Sequence, residues 1–333
     1  MAEPPRFGTF SIVAFDRERG EWGVAVQSKF IAVGSVVPWG EAGVGALATQ
    51  AFANVRYGPD GLALLRQGVS ADDVVRRLTS ADPDRDQRQL GVVDGKGGAA
   101  SYTGSKCLEW AGHVVGQGFA CQGNILFAPA VVEGMARTFE STPGDLPERL
   151  LAALESGQRE GGDRRGMQSA ALLVLRKEGG YDKGSDRWVD IRIDDHPTPI
   201  EELKRVFELY DLTLLTREDP ASRVRLEGEP LRQLKRDLNV LGYLIGPSAE
   251  GLDPKTQAAF SKFLNENNFE NKARDDGTAW PSVLEYLSER ARTELARRLT
   301  THPIETGALD RGPGARPTGG SPSAARPKDR TPP

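Results

Sequence analysis

Histidine and cysteine are scarce in this chain, with three of the former and two of the latter among 333 residues. That scarcity removes most hydrolytic chemistry built on imidazole or thiolate. His113, His196 and His302 are far apart in sequence, which argues against a zinc hydrolase and against a Ser-His-Asp relay. Cys107 and Cys121 lack CxxC spacing and read as inert thiols. No apolar run approaches the ~20 residues of a membrane span, and the first residues lack the apolar stretch of a secretory leader; a cytoplasmic location with no membrane partner is expected. Lys and Arg (43) are interspersed with Asp and Glu (47), for a net charge of −4. That balance lacks the clustered positive charge needed for nucleic acid. No GxSxG, P-loop or GxGxxG motif stands in a supporting context. Asp194-Asp195-His196 places three ligand-type residues in a row, but alternate side chains of an extended strand point oppositely. The segment reads as a strand end and helix cap, so neither metal nor cofactor is expected.

What the chain does have is enough apolar content, 38%, for a sizeable core and two domains. Residues 9–15 alternate as a strand, 16–20 (DRERG) form a polar turn, and 22–28 (WGVAVQS) form a second strand, together a hairpin. Strands are expected at 35–38, 43–49, 90–93, 99–103, 114–121, 169–175 and 188–193. Helices are expected at 57–66, 71–79 with Ser70 as N-cap, 130–139, 147–156 and 199–209. Asp94-Gly95-Lys96-Gly97 supplies a turn that tolerates positive φ. By order of elements this is an α/β or α+β layered fold.

The hairpin's first residue carries the chemical interest. A threonine hydroxyl is a weak nucleophile at neutral pH, but a threonine at a chain start has its own α-amine, with a pKa near ~8, as an adjacent base. A cut at Gly8-Thr9 would create that arrangement and make residues 1–8 a removable extension. The second strand brings Gln27, Ser28 and Lys29 against the start of the first. A cation beside an ammonium favours the neutral amine, so Lys29 is a candidate to tune Thr9. Gln27 can hold a geometry but carries no charge.

TFSIVA (9–14) with GVAVQSK (23–29) resembles the opening of the N-terminal-nucleophile hydrolases, with Gln27 where those carry an aspartate. GALATQAFANVRYGPDGLALL (45–65), QLGVVD (89–94), CQGN (121–124) and GGDRRGMQSAALLV (161–174) are similar to a bacterial and archaeal family of unknown function, DUF1028. That family is grouped with the same fold. The resemblance implies an α+β, four-layer αββα sandwich over 9–210. It also implies Asp163 and Ser169 as residues holding the terminal amine, and an oxyanion site near the strand ending in Thr49 and Gln50. Gln122 and Asn124 offer further amides for that site, or form an Asx-type turn. Arg56, beside Asn54 and Tyr57, suits a carboxylate on the substrate, although a structural salt bridge is the commoner use of an arginine. The reading is an amidohydrolase acting on a small amide or peptide-like bond; the alternative is a non-catalytic metabolite- or cell-wall-fragment-binding protein that keeps the fold. A homo-oligomer is the default assembly.

After an expected linker at 211–222, apolar residues at 231, 234, 238 and 241 mark a helix stopped by Gly242. A second helix carries Thr256, Ala259, Phe260 and Phe263, and a third covers about 281–299. The pair resembles a small peptidoglycan-binding helical module, implying an all-α domain at 223–300 with a cell-wall fragment as possible partner. Residues 301–333, rich in Pro, Gly, Arg and Ser, are expected to be a disordered tail.

Overall fold

A computed structural model describes residues 8–215 and 217–301. Residues 1–7 of the expected extension and 302–333 of the expected tail lie outside the described residues. Strand β1 (Thr9–Asp16) pairs antiparallel with β2 (Glu21–Ser28), from Thr9 opposite Ser28 to Asp16 opposite Glu21. The Asp16 carboxylate shapes the turn by accepting the N–H groups of Glu18 (2.9 Å) and Arg19 (3.1 Å), the local bonding that favours aspartate in turns. The chain continues through β3 (Pro38–Glu41), β4 (Gly45–Ala51), α1 (Tyr57–Arg66), α2 (Ala71–Ala81), β5 (Arg88–Asp94) and β6 (Ala99–Thr103). Then come β7 (Gly112–Gly116), β8 (Phe119–Asn124), α3 (Ala130–Ser141), α4 (Leu146–Arg159), β9 (Ser169–Arg176), β10 (Arg187–Ile193) and α5 (Pro199–Leu214).

Two antiparallel sheets result, one ordered β10-β9-β2-β1-β8-β7 and the other β3-β4-β5-β6. Side-chain alternation assigns their faces. Phe10, Ile12 and Ala14 of β1 join a buried core with Val132, Met135, Leu150 and Leu154 of α3 and α4. Val13, Val24 and Val26 instead meet Ala46, Ala48 and Val93 of the four-stranded sheet. Leu47, Leu90 and Val92 on that sheet's other face are covered by Leu62, Leu65, Val74 and Leu78 of α1 and α2. By the same parity, Thr9, Ser11 and Ser28 face the opposite sheet, and Gln27 faces the helices.

Ser70 caps α2 by accepting the Asp73 N–H. Three segments differ from expectation. Residues 35–38 do not form one strand: Ala32 turns with φ +51°, a short 3-10 helix covers Val33–Ser35, and β3 begins at Pro38. The N–H groups of Ser35, Val36 and Val37 turn back to the Ala32 and Val33 carbonyls instead of a ladder, while those of Ala32 and Val33 go to the Asp194 carbonyl and Ser169 Oγ. The stretch 114–121 is the hairpin of β7 and β8, because Gly118, with φ +77°, folds the chain back on itself. Helix α5 continues to Leu214, through the start of the expected linker.

At the far end of β2 from Ser28, Glu21 is 0% exposed and its Oε2 has no hydrogen-bond partner in the protein. Burial pushes its carboxyl up to about 7, against the nearby Arg176 guanidinium and with Asp16 adding to the rise. A raised acid pKa means that folding favours the protonated form, so this contribution is complete below about pH 4.5 and lost as pH rises through 7. Glu21→Gln should therefore match wild type near pH 4.5 and exceed it by up to about 3 kcal/mol at pH 8, at about 1.36 kcal/mol per unit. Urea unfolding at the two pH values checks this; equal stabilisation at both would contradict it.

The described residues divide into two compact units, 8–222 with Leu264–Ala273 and Arg223–Phe263 with 274–301. The second unit holds β11 (Val224–Arg225), α6 (Gly228–Val240), most of α7 (Pro254–Glu266), β12 (Thr278–Ala279) and α8 (Pro281–Thr301). It is thus not all-α, since β11 and β12 pair antiparallel. Leu231, Leu234 and Leu238 of α6 and Val283, Leu287 and Ala291 of α8 are buried, and Tyr243 meets Phe263 edge-on at 5.5 Å. Asp253 caps α7 by accepting the Thr256 N–H (3.0 Å) and hydroxyl (2.9 Å).

Candidate functional site

Thr9 lies mid-sheet, with Ser28 beside it on β2 and Asn124 beside it on β8, and is only 4% exposed. Its Oγ1 is 3.0 Å from Ser28 Oγ. Ser28 donates its own hydroxyl proton to the Gly8 carbonyl, so in that pair the Thr9 hydroxyl is the donor. Arg165 Nη2 also donates to the Gly8 carbonyl, at 2.8 Å. The carbonyl ahead of Thr9 is therefore held by a hydroxyl and a guanidinium together.

Asp163 anchors this arrangement. Its carboxylate, fully buried, accepts the Lys29 N–H (3.0 Å), the Arg165 N–H (2.9 Å) and Arg165 Nε (3.1 Å) and Nη2 (2.7 Å). The carboxyl sits so close to Gly8 that a Cβ there would lie 2.7 Å from Oδ1; only glycine fits without a shift.

From the facing sheet, Gln50 Nε2 approaches the Thr9 carbonyl (3.4 Å) and donates to Gln89 Oε1 (2.8 Å). Ser11 Oγ donates to Gln50 Oε1 (2.5 Å) and accepts from Gln122 Nε2 (2.7 Å). Asn124 Nδ2 donates to Gln89 Oε1 (2.9 Å), and Gln89 Nε2 reaches the Gly123 carbonyl (2.7 Å). These buried amides and hydroxyls bond one another, which restricts their rotamers, and Gln122 Oε1 alone among the named groups is buried without a partner.

A cavity of ≈ 240 Å³ opens beside Thr9 and Gln50. Phe30, Val33, Val36 and Val37, from the segment after β2, and Ala51, Phe52 and Ala53, from the end of β4, line it together with Arg88. Ala51 holds φ +64°, a left-handed conformation that costs an alanine about 1 kcal/mol or more and collects at functional sites. Arg88 donates to Asp82 (3.0 Å) and to the Phe52 carbonyl (2.8 Å). Asp82 also accepts Asn54 Nδ2 (3.0 Å) and the Tyr57 hydroxyl (2.9 Å). Burial alone would raise the Asp82 pKa, but these donors hold it well below the usual carboxylate range; burial and the Asp82 bond push Tyr57 up.

A family model described as "Family of unknown function (DUF1028)" matches residues 9–203, which begins at this threonine and takes in every residue of the site just described except Gly8. The chain belongs to the DUF1028 family. A crystal structure of a DUF1028 protein from Silicibacter pomeroyi is similar at 33% identity and a TM-score of 0.56, over 61% of this chain and 89% of that one. Residues 213–287 match a model described as "Putative peptidoglycan binding domain". No curated protein matches.

Within the DUF1028 region, Thr9, Asp163, Gln50, Gln122 and Asn124 converge, whereas other expected site residues do not. Lys29 brings only its backbone N–H to Asp163; its exposed ammonium goes to the Met167 carbonyl, 3.2 Å away. Ser169 Oγ bonds the Phe30 carbonyl and the Val33 N–H (3.0 Å), so it fixes the cavity wall. Thr49 donates to the Asn54 carbonyl (3.1 Å) on the face away from Thr9, and Asn54 serves Asp82. Arg56, its side chain 77% exposed, pairs with Asp60 and lines a different cavity with Tyr57. Gln27 faces the helix layer, 0% exposed, with neither amide atom partnered by protein. An unpartnered buried amide costs about 1–3 kcal/mol, so Gln27→Met should raise the unfolding free energy by about that amount in urea titration, and no loss of function is expected from it.

Ser28, Arg165, Gln89 and Arg88 are site residues that the motifs did not single out. Burial pushes the Cys121 thiol far up and Cys107 to about 11, consistent with inert thiols. Among the described residues no group of His, Cys, Asp or Glu is placed to hold a metal, and no helix is long and apolar enough to cross a membrane.

Proposed function

We infer that the DUF1028 region is an N-terminal-nucleophile amidohydrolase, with Thr9 as nucleophile and its freed α-amine as base. The carrying observation is the Gly8 carbonyl, held by Ser28 Oγ and Arg165 beside the Thr9 hydroxyl. Two facing sheets flanked by helices support the four-layer sandwich of that class. In self-release, Thr9 Oγ bonds to the Gly8 carbonyl carbon while Ser28 and Arg165 stabilise the developing oxyanion. The C–N bond opens as the hydroxyl proton reaches the Thr9 nitrogen, leaving an ester. Water then hydrolyses the ester, giving a carboxyl on Gly8 and a free amine on Thr9. In turnover the same hydroxyl attacks a substrate amide: its proton passes through the α-amine to the leaving amine, and water cleaves the acyl ester to a carboxylic acid.

The second reading, a non-catalytic binding protein, draws support from the hydrogen bonds that the amides around Thr9 already make with one another and from the distance of the Lys29 ammonium. For the second unit, likeness to the peptidoglycan-binding model supports a cell-wall fragment as ligand. The N-terminal residue and intact mass of the purified protein decide between the readings. A chain beginning at Thr9 supports the hydrolase, and one retaining Gly8 supports the binder.

A further inference from the structure

The cavity beside Thr9 is lined mostly by aliphatic and aromatic residues, with Thr9, Gln50 and Arg88 as its polar ones. Among the described lining residues only Arg88 is charged. Its guanidinium is already matched, by Asp82 at 3.0 Å and by Asp84 at 3.5 Å, which leaves little attraction for a further carboxylate. The wall is built in advance. Ser169 ties Phe30 and Val33, and the Thr49 N–H holds the Val37 carbonyl at 3.1 Å. A pre-formed wall spares a ligand the ordering cost of shaping its own site.

Resting on the reading of Thr9 as nucleophile, we propose that the scissile amide carries an apolar acyl group of phenylacetyl or hexanoyl size, seated against Phe30, Val33, Val37 and Phe52. An apolar cavity of roughly 150 Å³ accepts a benzene ring, so ≈ 240 Å³ has room for such a group and its carbonyl. An acidic or hydroxylated acyl chain would give up its hydration here and find few partners in return. The products are then an apolar carboxylic acid and an amine, formed from amide and water.

Ketones in which a methyl group replaces the amide nitrogen cannot be cleaved, so they report recognition apart from chemistry. Wild-type protein is titrated with acetone, 2-heptanone, phenylacetone and levulinate, and turnover of hexanoyl anilide is followed separately. Each buried methylene is worth about fourfold in affinity; 2-heptanone and phenylacetone should bind on the order of 100-fold tighter than acetone, with levulinate no better than acetone. Ala53→Trp, which fills the cavity, should erase that advantage. Tight apolar binding without hexanoyl anilide turnover keeps the cavity's preference and removes the nucleophile reading. Acetone or levulinate binding as well as 2-heptanone, no ketone binding, or an Ala53→Trp protein that retains the preference, overturns the acyl assignment whatever the turnover.

Discussion

A Thr9→Ala protein is expected to leave purification with Gly8 still attached and to have lost amide turnover by on the order of 10⁴-fold or more, the scale seen when an enzyme loses its nucleophile. The fold should survive the change. Removing Oγ1 takes one donor from Ser28 Oγ, which still has the Gly8 carbonyl as its own acceptor, so the stability cost is about 1 kcal/mol. Thr9→Ser keeps the hydroxyl and should retain slow release of residues 1–8. Intact mass, N-terminal sequencing and a thermal melt on the three proteins separate loss of chemistry from loss of structure. Release of residues 1–8 from the alanine variant at the wild-type rate would rule out Thr9 as the attacking group.

Asp163→Ala should be the most damaging single change to the fold near the site. One buried carboxylate there serves two backbone N–H groups and the Nε–Nη2 edge of the Arg165 guanidinium. Removing one partner of a buried pair costs about 3–5 kcal/mol because the other charge is left uncompensated. With Arg165 24% exposed, water recovers part of that, and the lower end is expected. Arg165 would also lose its aim at the Gly8 carbonyl, so release of residues 1–8 should slow in protein that is still folded. Urea unfolding gives the first effect, and mass spectrometry of the folded fraction gives the second. A large stability loss with unchanged release would leave Asp163 a purely structural role.

The opening hairpin was legible because alternation over eight residues and a polar turn specify both strands and register. Face parity is legible too: once Ser28 lies beside Thr9, its neighbour Gln27 points to the other face. Arg165 stands two residues beyond Asp163 in the same motif, whose resemblance points to Asp163 and Ser169 and not to the arginine. That Arg88 lines the cavity and Arg56 does not is not legible locally. Both arginines stand near acids in sequence, and only the pairing of β4 with β5, Ala51 opposite Arg88, brings one of them to the cavity. Likewise Gln89 looks like an ordinary strand residue until the facing sheet supplies Gln50 and Asn124 as its partners.

Chain ends usually fray in solvent, but β1 begins between two strands already paired to it at Thr9. A terminus made at that residue would start life between two strands, beside the cavity that opens there. The two neighbouring strands would hold the new amine in one place before a substrate arrived, sparing the ordering cost that a frayed end would carry.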